Sequence, residues 1–207
     1  MDFSLWLALA TATLLISLTP GAGAVNTMSN ALNVGFTRAI WGILGQQAAL
    51  VVHVVIVALG LGVLVSHSPV LFNVIRYAGA AYLIYLGIRQ FLAKTAENDG
   101  AQEALAGEPA WSMFRRGLWV NLLNPKAIVF FLAFLPQFIR PEEPLVPQYA
   151  VVAVTVVLID VIVMWFCFAL AARSVRNFTR SARGQLVLNR SFGTLFVVLG
   201  TGLALLH

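Results

Sequence analysis

The chain carries Thr19-Pro20-Gly21-Ala22-Gly23 midway through an apolar run that begins near Phe3, and Asn121-Leu122-Leu123-Asn124-Pro125-Lys126 inside a second run from about Gly117 to Ile139. Proline has no backbone N–H and clashes with the preceding helical turn, so each run is predicted to unwind at its proline. Lipid cannot satisfy the backbone groups exposed by such a break. Broken helices at matching places in two halves of a chain are typical of a secondary transporter's binding site.

The composition indicates a membrane protein. The 207 residues are 60% hydrophobic and 10% charged, and their mean hydropathy is +0.88, whereas a soluble domain carries about 25% charged residues. Several apolar runs reach the ~20 residues that cross a hydrocarbon core. We predict an all-α integral membrane protein with six spans, near 3–28, 39–64, 70–92, 115–139, 146–171 and 187–206.

The six spans are predicted to form a single transporter domain over 1–207, with halves at about 1–92 and 115–207 and a linker at about 93–114. With three spans each, two related halves must be inverted relative to one another. Arg76-Tyr77-Ala78-Gly79 and Arg190-Ser191-Phe192-Gly193 open the third and sixth spans in a similar way, although coincidence among apolar helices is the alternative. The residues before the first span include no Lys or Arg, so we expect that span to be retained.

The basic residues predict the orientation. Two of the thirteen Lys and Arg residues, Arg76 and Arg140, flank the second and fourth connections, and Lys126 lies within a span. Ten flank the first, third and fifth connections: Arg38, Arg89, Lys94, Arg115, Arg116, Arg173, Arg176, Arg180, Arg183 and Arg190. By the positive-inside rule, the odd connections are cytoplasmic and both termini are periplasmic. The net charge of +5 is therefore a topology signal, and we expect no nucleic-acid partner.

Two opposite charges lie deep in the predicted spans, where an ionisable residue costs at least ~2.5 kcal/mol. Asp160 is central in the fifth span, and Lys126 follows the second proline break. Asp160 is either a structural partner of Lys126 or an acceptor for a proton or an ammonium group, and the two roles are compatible.

Other polar residues in the spans have two readings each. His53 lies on one helix face with Gln46, which is followed by Gln47, and it is either a packing residue or part of a proton relay. Asn26, Asn30 and Asn33 share a face after the first break, where they either join helices or line a wet path. Glycines such as Gly42, Gly45 and Gly87 indicate close helix packing.

The sequence offers no pattern for a cofactor or metal site. No group of Cys, His and carboxylates has metal-ligand spacing, and the single Cys167 excludes an intramolecular disulfide. We find no Ser, His and Asp arrangement above chance, so we predict that the protein is not an enzyme. A membrane-embedded enzyme acting on a lipid-linked substrate and a passive channel are the alternatives.

Three stretches carry a resemblance to the LysE/RhtB family of amino-acid exporters, which runs nearly end to end. They are Ser17-Leu18-Thr19-Pro20-Gly21-Ala22-Gly23-Ala24-Val25-Asn26-Thr27-Met28, Gly79-Ala80-Ala81-Tyr82-Leu83-Ile84-Tyr85-Leu86-Gly87, and Val120-Asn121-Leu122-Leu123-Asn124-Pro125-Lys126-Ala127-Ile128-Val129-Phe130-Phe131 followed by Leu135-Pro136-Gln137-Phe138. Many members have Pro-Gly-Pro at the first break, whereas this chain has Ala22 in the third place. That departure resembles the homoserine and homoserine-lactone branch.

The resemblance implies a bacterial inner-membrane protein that exports small amino acids or derivatives such as homoserine, homoserine lactone or threonine-like molecules by proton antiport. Its partners would be substrate, protons and membrane lipid, with a homo-oligomer left open. Helix ends at the breaks attract charged groups, so Lys126 could hold a substrate carboxylate and Asp160 the ammonium or a proton. The expected proton-coupling residues are Asp160 and His53. The expected substrate-binding residues are Pro20, Gly21, Gly23, Asn26, Asn121, Asn124, Pro125 and Lys126.

Overall fold

The computed structural model describes residues 1–67, 69–92, 108–172 and 181–205, and these residues form helices and no strand. The α-helices are α1 (Phe3–Leu18), α2 (Ala22–Asn33), α3 (Ile40–His67), α4 (Pro69–Phe91), α5 (Ala110–Leu122), α6 (Pro125–Val129), α7 (Leu145–Ile162) and α8 (Ala182–Leu205). A π-helix (Phe130–Phe134) and a 3-10 turn (Leu135–Phe138) continue α6, and a second π-helix (Val163–Ala169) continues α7. The predicted all-helical class is confirmed.

Both predicted breaks are present. α1 ends at Leu18, α2 begins at Ala22, and the two helices are bent by 58°. α5 ends at Leu122, and α6 begins at Pro125 with a bend of 53°. Proline at the first position of a helix costs nothing, because the N–H at that position has no helical partner.

The described residues contain two helical stretches that are long and apolar enough to cross a membrane, Ile40–Gly60 and Leu145–Ala169. Up to four spans result if each bent pair counts as one. α4 and α8 lie where the third and sixth spans are predicted. The six-helix count and the inverted repeat remain predictions, and 93–107 of the linker and 173–180 of the arginine-rich stretch lie outside the described residues.

Glycines bring two helix pairs into close contact, as predicted. A Cβ added to Gly45 in α3 would lie 2.0 Å from the carbonyl oxygen of Phe114 in α5, and one added to Gly117 would lie 2.1 Å from the oxygen of Gly42. α4 and α8 meet in the same way, since a Cβ on Gly87 would lie 2.7 Å from the oxygen of Gly193. Backbones in membranes approach this closely where small residues face one another.

The apolar core surrounds the breaks on two sides. One buried cluster joins α1, α3, the segments that follow Pro125, and α7, with Leu9, Phe131 and Val152 fully buried. A second cluster joins α2, α3 and the π-helix after α7, around Ile43 and Val163. The two broken segments are thus enclosed by helices, and the polar groups between them lie inside the protein.

Charged residues join three segments at the end of the molecule where α1 begins. Asp2 accepts a hydrogen bond from the backbone N–H of Leu5 at 2.9 Å and thereby caps α1. Its carboxylate also pairs with Arg140, whose Nη1 lies 3.3 Å from Glu143. These hydrogen bonds, with that from Leu5 first, lower the pKa of Asp2 from 3.8 to about 2.

Candidate functional site

A cavity of about 40 Å³ lies between the two breaks. A single water needs roughly 10–15 Å³, so the cavity holds a few waters. Five of the predicted site residues line it: Gly23, Asn121, Asn124, Lys126 and Asp160. Other lining residues come from α1, α3 and the segment after α6, including Thr13, Ser17, Gln46 and Phe131.

Lys126 reaches from the second break to the first. Its Nζ donates to the backbone oxygens of Ile16 at 3.0 Å and Thr19 at 2.8 Å. These carbonyls belong to the end of α1, where Pro20 offers no N–H and the chain leaves the helix. A cation at a helix carboxyl end is also favoured by the helix dipole. The same Nζ lies 3.4 Å from the position of a Cβ on Gly21, which is van der Waals contact distance.

Asp160 is 7% exposed and receives a hydrogen bond on each carboxylate oxygen. The Ser17 hydroxyl donates to Oδ1 at 2.8 Å, and Gln47 Nε2 donates to Oδ2 at 2.8 Å. Lys126 lines the same cavity, but the ion pairs of the described residues do not include one between it and Asp160. The hydrogen-bond partners of Lys126 are therefore backbone oxygens and those of Asp160 are neutral donors, so the structural reading of the pair is not supported by a direct contact among the described residues.

Amide side chains connect the two breaks. Gln46, 1% exposed, donates through Nε2 to the oxygen of Gly23 at 3.2 Å and to Thr27 Oγ1 at 3.0 Å. Asn121 Nδ2 donates to the backbone oxygen of Gln46 at 3.1 Å, and Asn124 Oδ1 accepts from the N–H of Lys126 at 3.1 Å. Asn124 is thus the N-cap of α6. These hydrogen bonds join α2, α3 and α5 to one another.

The predicted asparagine stripe does not line the cavity. Arg116 Nε donates to Asn26 Oδ1 at 3.1 Å, and Arg116 also donates through Nη2 to Asn30 Oδ1. The same Nη2 forms an ion pair with Glu108 at 2.8 Å. Asn33 instead donates to the oxygen of Ser29 at 2.8 Å within α2. Asn26 and Asn30 therefore join α2 to α5, which is the interhelical role weighed from the sequence.

The remaining predicted residues lie at the edge of the site. Pro20 and Pro125 form the breaks themselves and do not line the cavity. His53 is buried and stacks on Phe131, with ring centroids 5.3 Å apart and planes at 9°. Since Phe131 lines the cavity, the histidine lies behind its wall.

Ser17 and Thr13 are cavity residues that our sequence analysis did not select. They are polar residues four positions apart in an apolar helix, which places them on one face of α1. That spacing was the available signal. Gln47 was noted only as the residue next to Gln46, and nothing in the sequence indicates that it contacts Asp160.

Comparison with known proteins gives consistent matches. The model of the LysE type translocator family matches residues 14–207. The chain is 40% identical to the homoserine/homoserine lactone efflux protein of Salmonella typhimurium, over 99% of this chain and 98% of that protein. It is 31% identical to the leucine efflux protein of Klebsiella pneumoniae, over 93% and 91% of the two chains. An uncharacterized membrane protein of Vibrio cholerae is 39% identical over 99% and 98%. No solved structure matches.

Proposed function

Because this chain belongs to the LysE type translocator family, whose members are transporters and not enzymes, we propose that it exports small amino acids or their derivatives by proton antiport. Homoserine, homoserine lactone and threonine-like molecules are the proposed substrates, in keeping with the printed name of the Salmonella relative. The observation that carries the proposal is the cavity between the two breaks, whose described lining includes one buried acid, Asp160, and one half-buried cation, Lys126.

The proposed substrate site is that cavity together with the two breaks. Its lining includes one residue without a side chain and three polar side chains, namely Gly23, Asn121, Asn124 and Lys126. Pro20, Gly21, Asn26 and Pro125 contribute by shaping the breaks and holding α2 in place. A small amino acid needs more room than a few waters occupy, so its entry requires the helices around the breaks to move apart. Secondary transporters make such movements by rocking one half of the protein against the other around the site.

Asp160 is the proposed coupling residue. Each of its oxygens is held by a neutral donor, so the carboxylate is hydrogen-bonded without being neutralised by a contacting cation. A buried carboxylate without a contacting cation is stabilised when it binds a proton or a substrate ammonium group. Binding one of them in place of the other is the exchange that antiport requires. His53, behind Phe131, is the proposed second proton-coupling residue.

The membrane arrangement is proposed from the charge bias and the fold together. Six helices form two inverted halves in the bacterial inner membrane, with α4 and α8 as the third helix of each half. Both termini are periplasmic, and the linker at about 93–114 is cytoplasmic. The number and placement of basic residues on the odd connections support this orientation.

Transport in everted inner-membrane vesicles tests the function. Vesicles containing the protein should accumulate labelled homoserine when respiration drives protons inward, and the accumulation should collapse when an uncoupler is added. Vesicles without the protein are the control. Equal equilibration with and without the gradient would indicate a passive channel, and no protein-dependent movement of homoserine, its lactone or threonine would contradict the proposed substrate class.

A further inference from the structure

The Lys126 ammonium supplies hydrogen bonds that α1 lacks at its end. In an uninterrupted helix the oxygen of Ile16 would accept from the N–H of residue 20, and that of Thr19 from the N–H of residue 23. Pro20 has no N–H, and the chain bends away before Gly23. Lys126 Nζ lies 3.0 and 2.8 Å from these two oxygens. The Ile16 oxygen also accepts from the N–H of Thr19 at 3.2 Å. Lys126, 110 residues away in sequence from Ile16, thus stands in for the helical donor that Pro20 lacks and for the one that the bend removes from Thr19.

This contact commits most of the hydrogen-bonding capacity of Lys126. An ammonium group has three N–H donors, and two of them are used on α1. Lys126 is the one cation among the described residues that line the cavity. A substrate carboxylate can therefore accept a hydrogen bond only from its one remaining N–H. Asp160 is the single acid in that described lining, and its carboxylate oxygens accept hydrogen bonds from neutral groups.

The end of α1 that Lys126 contacts also contains a hydrogen-bond donor to Asp160. Ser17 lies between the two residues whose oxygens Lys126 binds, and its hydroxyl donates to Asp160 Oδ1 at 2.8 Å. Fixing the backbone on both sides of Ser17 fixes the direction of that hydroxyl. The groups that face Asp160 are then Ser17 from α1, Gln47 from α3 and, across the cavity, Lys126 from α6; His53 lies behind Phe131.

We propose that Lys126 is a positioning residue that caps the broken end of α1 and holds Ser17 against Asp160, and that the site recognises the substrate through its ammonium group while the carboxylate is dispensable. The inference rests on the proposed function and refines its substrate class to primary amines with or without a free carboxylate. A lactone or ester of an amino acid then binds as the free acid does. Removing Lys126 impairs all of these substrates alike.

Lys126→Met tests this, because methionine keeps most of the length of the side chain without its charge or donors. Export of homoserine and homoserine lactone should fall by the same factor, to within about threefold. The pH profile of the remaining export should move in the same direction as that of Ser17→Ala. A loss of homoserine export about tenfold greater than that of the lactone would assign Lys126 to the carboxylate and overturn the inference. An unmoved pH profile in Lys126→Met beside a moved one in Ser17→Ala would overturn the positioning role.

A thermal-unfolding cycle in detergent separates failure of this inference from failure of the proposed function. If the wild-type protein exports neither substrate, the proposed function fails, but the capping role can still be measured. Lys126→Met should lower the melting temperature, and it should lower it less in a Pro20→Ala background, where residue 20 regains an N–H for Ile16. An equal drop in both backgrounds would contradict the cap.

Discussion

At the scale of single residues, polar side chains bind backbone groups that the two breaks leave open. Lys126 binds the end of α1 and Asn124 caps α6, while Gln46 adds a hydrogen bond to the oxygen of Gly23 in the first turn of α2. An unsatisfied polar group costs several kcal/mol in a medium without water. The irregular backbone around the cavity is therefore stabilised by side chains from neighbouring helices.

Asp2 gives a prediction for the dependence of stability on pH. Its pKa of about 2 in the folded protein lies below the ordinary 3.8 because of the hydrogen bond from Leu5, with Ser4 and Arg140 adding to the effect. A lowered folded-state pKa stabilises the protein above the unfolded value, and this contribution is lost as the pH falls from about 4 towards 2. Asp2→Asn keeps an N-cap but removes the charge.

The melting temperature in detergent should fall less steeply between about pH 4 and 2 for Asp2→Asn than for the wild-type protein. Glu142→Gln, at an exposed position near the same end, is the matched control and should follow the wild type. Identical acid slopes for Asp2→Asn and the wild type would show that the contacts of Asp2 do not stabilise the fold.

The sequence predicts some of these residue contacts and not others. The breaks at Pro20 and Pro125 and the burial of Asp160 follow from local chemistry and hydropathy, so they could be predicted. The partners of Lys126 depend on a 58° bend and on how two distant segments meet, which no local pattern encodes. For the same reason the contacts of Ser17 and Gln47 with Asp160 could not be predicted, because they depend on how each helix is rotated about its own axis.

At the scale of elements, the prolines are expected to be required for transport and dispensable for membrane insertion. Pro20→Ala and Pro125→Ala restore an N–H and let the helix close, which removes the exposed backbone groups that shape the cavity. Each variant should reach the membrane in near-normal amounts and lose homoserine export. Membrane abundance and vesicle uptake are the two measurements, and export at the wild-type rate by both variants would refute the assignment.

The contact between α3 and α5 depends on glycine. An added Cβ at Gly45 would meet the Phe114 oxygen at 2.0 Å, so one helix must shift. Overpacking of this kind costs about 1–3 kcal/mol. Gly45→Ala should therefore lower the melting temperature in detergent. Gly60→Ala, in the same helix with nothing within 4 Å of its added Cβ, is the control. Should both variants melt alike, the close approach would not be a source of stability.

At the scale of the whole molecule, the charge bias predicts the orientation. A reporter active only in the periplasm and fused after residue 207 should be active, and the same reporter inserted within residues 93–107 should be inactive. The opposite pattern would invert the topology, and the direction of transport would have to be reassigned with it.

The central claim is that Asp160 exchanges a proton for the substrate's ammonium in a cavity between two broken helices. Its direct test is labelled-homoserine transport by purified Asp160→Asn in proteoliposomes, with Glu142→Gln as the control. An amide can still hydrogen-bond but cannot titrate, so we predict that gradient-driven accumulation is lost while homoserine exchange between the two sides persists. Proton-driven accumulation at the wild-type rate by Asp160→Asn would contradict the account.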